Sequence, residues 1–234
     1  MRMKKSIYIV FAVACAFALS ACCTKNEPAA ANSACKADEG WQPLFKPDLS
    51  NAVFDAGIWS FDNGILKATQ DKVIFTKADY SNFELELEFK IEKGSNSGIV
   101  VYCTDIQKWI PNSVEIQIAD SSDPRFAKPT WRCGSIFGHV DAEFDTRLSF
   151  GEWHKMRVVC KGPVIEAWLD GKHVSKIDML MWTDNKVGPD GTQILPWLTE
   201  HKKCEMATRG RIGLQGKHGK AATDFRNMRL RVCE

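Results

Sequence analysis

The sequence predicts an all-β sandwich of the jelly-roll kind, with two antiparallel sheets packed face to face. Three observations carry this reading. Short stretches of period-two alternation recur along the chain. Turn residues separate them at regular, short intervals. Only residues 194–200, "ILPWLTE", and their surroundings look helical, and Pro196 works against a helix there. So little helix cannot supply the crossovers of a parallel sheet.

Taken in order, residues 58–68, "IWSFDNGILKA", read as a hairpin turned by Asn63-Gly64. Residues 73–76, "VIFT", form the next strand. Residues 83–91, "FELELEFKI", place Phe83, Leu85, Leu87, Phe89 and Ile91 on one face and Glu84, Glu86, Glu88 and Lys90 on the other. That pattern describes a half-buried strand with a charged, solvated back. "GIVVYC" (98–103) and "SVEIQIA" (113–119) follow; the second points Val114, Ile116 and Ile118 inward and Glu115 and Gln117 outward. "WHKMRVVC" (153–160) and "VIEAWL" (164–169) come next, and Asp170-Gly171 turns the chain into "KHVSKI" (172–177). "GRIGLQ" (210–215) and "TDFRNMRLRV" (223–232) close the series. If one sheet is concave, its outer face is a groove, and Glu115 and Gln117 would stand in it. The insertions 104–112 and 178–208, both carrying tryptophan, would form its rim.

The chain begins with a basic "MRMKK" and an apolar "SIYIVFAVACAFAL", too short for a spanning helix, followed by "LSAC". This order resembles a bacterial lipobox. It implies a signal peptide over 1–21 and lipidation of Cys22, which would tether the protein to the membrane of the cell envelope, facing the periplasm. Residues 22–39 then read as a flexible tether, being small and polar without apolar period, and 40–234 as one domain. Loss of the leader's three basic residues takes the net charge from +2 to −1. Such a balance argues against a nucleic-acid partner. Cys23, Cys35, Cys103, Cys133, Cys160, Cys204 and Cys233 remain; with no zinc-like spacing they read as core or disulfide residues.

Three further stretches are polar without being plain loops: "GSNSGIVVY" (94–102), "GRIGLQGKHG" (210–219) and "TDFRNMRLRV". Together with "WQPLFKPDLSNA", "VEIQIAD" and "GEWHKMRVVCKG…IEAWLDGK", and in this order from Trp41 to Val232, they resemble the 3-keto-disaccharide hydrolase family. The resemblance implies a concanavalin-like jelly roll acting on sugars oxidised at carbon 3, with a sugar 3-dehydrogenase as the partner activity that supplies the ketone. The chain departs from the family pattern at "GSIFG", where Phe137 stands for a tyrosine.

A ketone at carbon 3 makes the hydrogen on carbon 2 acidic, so the glycosidic oxygen on carbon 1 can leave by elimination, and water then completes a hydrolysis. The route needs a base, an acid and donors for the enolate oxygen. It does not need the paired carboxylates of an ordinary glycosidase. On this reading Glu115 is the expected base and His218 the expected acid, with Arg226 orienting Glu115 or stabilising the enolate. Asn96, Gln117, Gln215 and Lys217 would bind hydroxyls, and Trp109, Trp182 and Trp197 would stack on sugar rings. Trp59, Trp153 and Trp168, inside strands, are expected in the core. No cofactor is required; a divalent metal could replace the enolate donors, and His139, Asp141 and Glu143 would share a face if extended, though they read as a solvated loop. The alternative function is a lectin-like carbohydrate-binding module without turnover.

Overall fold

A computed structural model describes residues 40–219 and 221–233. The expected leader, Cys22 and the tether lie outside the described residues. Among the described residues thirteen strands appear in chain order: β1 Gln42–Pro43, β2 Ala52–Val53, β3 Trp59–Asp62, β4 Ile65–Ala68, β5 Val73–Thr76, β6 Phe83–Ile91, β7 Asn96–Cys103, β8 Val114–Ala119, β9 Trp153–Lys161, β10 Val164–Leu169, β11 Lys172–Asp178, β12 Arg211–Gln215 and β13 Thr223–Val232. They form two antiparallel sheets. One runs β11-β10-β9-β6-β13-β4-β3, with β1 on β13; the other runs β2-β5-β12-β7-β8. This is the jelly-roll sandwich that the alternation predicts. The chain crosses repeatedly between the sheets, so neighbours such as β6 and β13 are far apart in sequence. The apparent helix at 194–200 is only a 3-10 turn over Pro196–Leu198.

Both predicted hairpin turns form. Asn63 and Gly64 have φ of 50° and 79°, Asp170 and Gly171 of 50° and 80°. Two consecutive left-handed residues match the twist of the flanking strands, and Asn-Gly and Asp-Gly tolerate them best. Between the sheets lies one core. Phe83, Leu85, Leu87, Phe89 and Ile91 of β6 are fully buried in it, as are Ile99, Ile116, Ile118, Ile212 and Leu214 from the smaller sheet. Cys103, Cys133 and Cys160 are buried free thiols whose pKa values rise through desolvation, which makes them inert. Cys233 is in a disulfide.

The outer face of the larger sheet corrects one expectation. Glu84 and Glu86 are buried rather than solvated. Glu84 is gripped by Arg157 and Arg231, and Glu86 by Lys155 at 2.9 Å and Arg229 at 2.6 Å. Cross-strand register places these opposite charges side by side. Tryptophans then cover the cations: Trp41 lies 4.4 Å from the Arg229 guanidinium, Trp153 4.1 Å from that of Arg226, and Trp168 4.4 Å from that of Arg157. Trp59 is a core residue as expected, but Trp153 and Trp168 belong to this outer layer.

Candidate active site on the smaller sheet

Strand alternation sends Glu115 and Gln117 of β8 to the outer face of the smaller sheet, since Val114, Ile116 and Ile118 fill the core. Antiparallel register then builds a row across the sheet: Glu115 faces Val100, Val100 faces Gly213, Gly213 faces Phe75 and Phe75 faces Val53. In the next row, Gln117 faces Gly98 and Gln215 faces Val73. Phe75 and Val100 form an apolar patch of their own, separate from the core, packed by Val73, Ile106 and Trp109. The insertion 104–112 folds over this patch. The result is a cleft of about 390 Å³ lined by Asp71, Val73, Phe75, Ile106, Trp109, Gln215 and His218, among others. Its size is that of a small-molecule site, and its apolar floor is ringed by polar groups, Asp55, Lys72 and Gln107 among them.

Glu115 is the unusual group. Its side chain is held low on the sheet, over Gly98. A Cβ at Gly98 would lie 2.1 Å from a Glu115 carboxylate oxygen. The carboxyl has no hydrogen-bond partner among the described residues. Desolvation, with repulsion from Asp71, pushes its pKa up to about 8. Glu115 therefore carries a proton at neutral pH. Gly98→Ala is expected to displace this carboxyl without harming the fold, because the flexible end of Glu115 can swing aside. Turnover should fall by about tenfold or more while the thermal midpoint moves little; activity measured beside a melting curve checks it.

On the cleft wall, the Asp71 carboxylate accepts a hydrogen bond from His218 Nδ1. Two loops carry this pair, and main-chain bonds lock them together: Gly216 N–H donates to Lys72 O at 2.9 Å and Lys217 N–H to Gln70 O at 3.1 Å. With Nδ1 as donor, Nε2 is the free, basic nitrogen. The Gln215 side chain lines the cleft and has no protein partner among the described residues.

The structure thus brings His218, Gln215 and Trp109 onto one cleft, while Glu115 stands beside it, near enough to feel the Asp71 charge, and opens into the adjoining crevice with Ile110, Phe137 and Leu198. Asn96 and Gln117 lie on the same face, but Gln117 is buried and its amide donates to Asn96 Oδ1 at 2.8 Å, so Asn96 is the member of the pair nearer to solvent. Lys217 is fixed by its main chain and is not on the cleft wall. Arg226, expected beside Glu115, is on β13 in the other sheet, bound to Glu88 at 2.6 Å. Both sheets alternate in the same way, so period alone could not tell which sheet received this arginine. Trp182 is buried against His139 at 5.1 Å and is no rim residue. Trp197 is 52% exposed, 6.5 Å from Trp131. His139 is buried, with Nδ1 2.8 Å from Phe137 O and a pKa lowered by desolvation to about 3, whereas Asp141 and Glu143 are exposed. The three do not share a face. Asp71 escaped the sequence reading because "TQDK" is indistinguishable from any polar turn.

The fold and part of this sequence recur elsewhere. A protein of Parabacteroides distasonis, provisionally named a glycosyl hydrolase and solved by crystallography at 2.00 Å, is 47% identical with a TM-score of 0.79, covering 82% of this chain and 98% of that one. A Bacillus subtilis protein with a galectin-like fold superposes with a TM-score of 0.51 at 10% identity, covering 82% of this chain and 94% of that one, which shows the fold alone. A 3-keto-disaccharide hydrolase of Bacteroides thetaiotaomicron is 28% identical over 177 residues, 66% of this chain. The match spans 60% of that relative's length. The family described as the 3-keto-alpha-glucoside-1,2-lyase-like domain matches residues 35–231, and the chain belongs to it.

Proposed function

We propose that the protein cleaves the glycosidic bond of 3-keto-glycosides by elimination, followed by hydration. The observation that carries this reading is an unpartnered Glu115, its pKa raised to about 8 by burial and by the Asp71 charge, beside a sugar-sized cleft whose wall holds the carboxylate-oriented His218. A binding module gains nothing from a carboxyl held at such a pKa, whereas an acid catalyst does. The roles expected from sequence are therefore exchanged. His218 Nε2 takes the proton from carbon 2, and Asp71 holds the imidazole in the required tautomer and stabilises the imidazolium. The enolate forms with its oxygen accepting from the Gln215 amide. The carbon 1–oxygen bond then breaks as carbon 1–carbon 2 becomes double, and Glu115 gives its proton to the departing oxygen. Water adds to the resulting enone to release the free 3-keto sugar. Trp109 and Phe75 provide apolar surface for the ring.

The domain 40–234 should leave a native glucoside intact and cleave its 3-keto form, with product identity read by mass spectrometry. Equal cleavage of the two would sink the elimination route, because a native sugar has no acidic carbon 2 hydrogen. Binding of the keto sugar without any product would favour the lectin-like alternative.

A further inference from the structure

On the far side of β8 the smaller sheet does not end at Glu115. The chain over 134–137 adds to its edge: Phe137 N–H donates to Glu115 O at 2.9 Å and Gln117 N–H to Ser135 O at 3.0 Å. Ile136 bridges Ile116 and is fully buried. Alternation therefore puts Phe137 on the cleft face, directly beside Glu115. Trp131 packs against Phe137 at 5.8 Å, and Trp197 meets Trp131 at 6.5 Å while remaining 52% exposed. Leu198, next to Trp197, shares a narrow crevice with Phe137, Ile110 and Glu115. Glu115 thus stands between two different surfaces. The cleft on one side carries Asp71, His218 and Gln215. The ledge on the other is aromatic.

Most of the ledge's polar neighbours are already engaged; deeper in the crevice, Lys203 Nζ lies 3.4 Å from Ser113 O and 3.3 Å from Met206 Sδ, and His139 Nδ1 2.8 Å from Phe137 O. Ser135 Oγ donates to Thr130 O at 2.9 Å, Thr199 Oγ1 to Pro196 O at 2.7 Å, and the Asn185 amide to Thr199 O. The Trp131 Nε1 has no hydrogen-bond partner among the described residues, but it is buried away from the ledge surface. A second sugar would bring several hydroxyls and find few side-chain partners for them beside Trp197, a costly arrangement. A flat apolar group would find area alone.

We infer that the ledge is the leaving-group subsite and that it takes an aromatic aglycone, stacked on Trp197, while the keto sugar occupies the cleft. This rests on the proposed function, because an acid placed between two surfaces defines a leaving group only if the glycosidic bond breaks there.

The test compares benzyl and methyl 3-keto-glucosides, whose leaving alcohols are similarly basic, so that a difference reads recognition rather than leaving ability. The benzyl compound should have a kcat/KM higher by roughly tenfold or more, and Trp197→Ala should remove most of that preference while changing the methyl substrate less than about twofold. Trp197 is exposed enough for the variant to fold. Equal rates for the two substrates, or an equal loss on both in Trp197→Ala, overturn the inference. If neither substrate is cleaved, the proposed function fails, and calorimetry with unoxidised benzyl glucoside decides the ledge: an affinity untouched by Trp197→Ala overturns it, and a tenfold loss upholds it as an aromatic-binding surface.

Discussion

Glu115→Gln lowers turnover on a 3-keto-glycoside by roughly 10²–10⁴-fold, the usual contribution of a positioned proton-transfer group. Affinity for the keto sugar changes little, since glutamine keeps the size and polarity of the side chain and only a proton donated in the transition state is lost. The defect shrinks with leaving groups that depart without protonation, such as dinitrophenolate. The wild-type rate should decline as pH rises through about 8, where Glu115 gives up its proton, and that limb should be absent from the residual activity of the variant. Stability moves the opposite way. The folded pKa of about 8 lies above the ordinary 4.5, so the native state keeps a proton that the unfolded chain releases. The stability contributed below about pH 4.5 is lost as pH rises towards 8. Glu115→Gln removes that loss and should stabilise the protein at pH 8 by about 2 kcal/mol, less than the full shift because the side chain keeps some contact with water. Denaturant titrations at pH 5 and pH 8 read it directly. Loss of activity together with gain of stability marks a functional carboxyl. A structural one would lose both.

Much of this molecule was legible because β-structure writes its two faces into the chain. Val114, Ile116 and Ile118 had to go inward, which left Glu115 and Gln117 outside. The same rule was silent about which outer face was concave, and that is why Arg226 was expected beside Glu115. Its true surroundings depend on β13 pairing with β6, a long-range register that no local pattern states. Burial of Glu84 was hidden for a similar reason: its arginines come from β9 and β13, more than seventy positions away. Asn96 and Gln117, both expected to bind hydroxyls, share one face, yet their mutual hydrogen bond takes the Gln117 amide from any ligand. Asp71 was invisible because the geometry that gives it meaning is the docking of one polar turn on another.

That docking makes the strongest case for Asp71, and the variant that tests it is Asp71→Asn. The carboxylate accepts from His218 Nδ1, so the opposite nitrogen is free to take a proton. An asparagine turned to offer its amide N–H to Nδ1 would select the other tautomer, with Nε2 carrying the hydrogen and unable to act as base. Turnover is expected to fall by roughly 10²–10⁴-fold although no atom has been removed from the cleft. A second effect follows from charge. Asp71 repels the ionised form of Glu115, so its neutralisation lets Glu115 ionise at lower pH, and the alkaline limb of the residual activity should move below 8. His218→Ala, in contrast, should lose the base while leaving that limb in place, and added imidazole should restore part of the rate. An Asp71→Asn enzyme with full activity and an unmoved limb would leave His218 unsupported and the elimination without its base. A limb that moves while turnover holds would keep Asp71 as a neighbour of Glu115 and remove it from the chemistry at carbon 2.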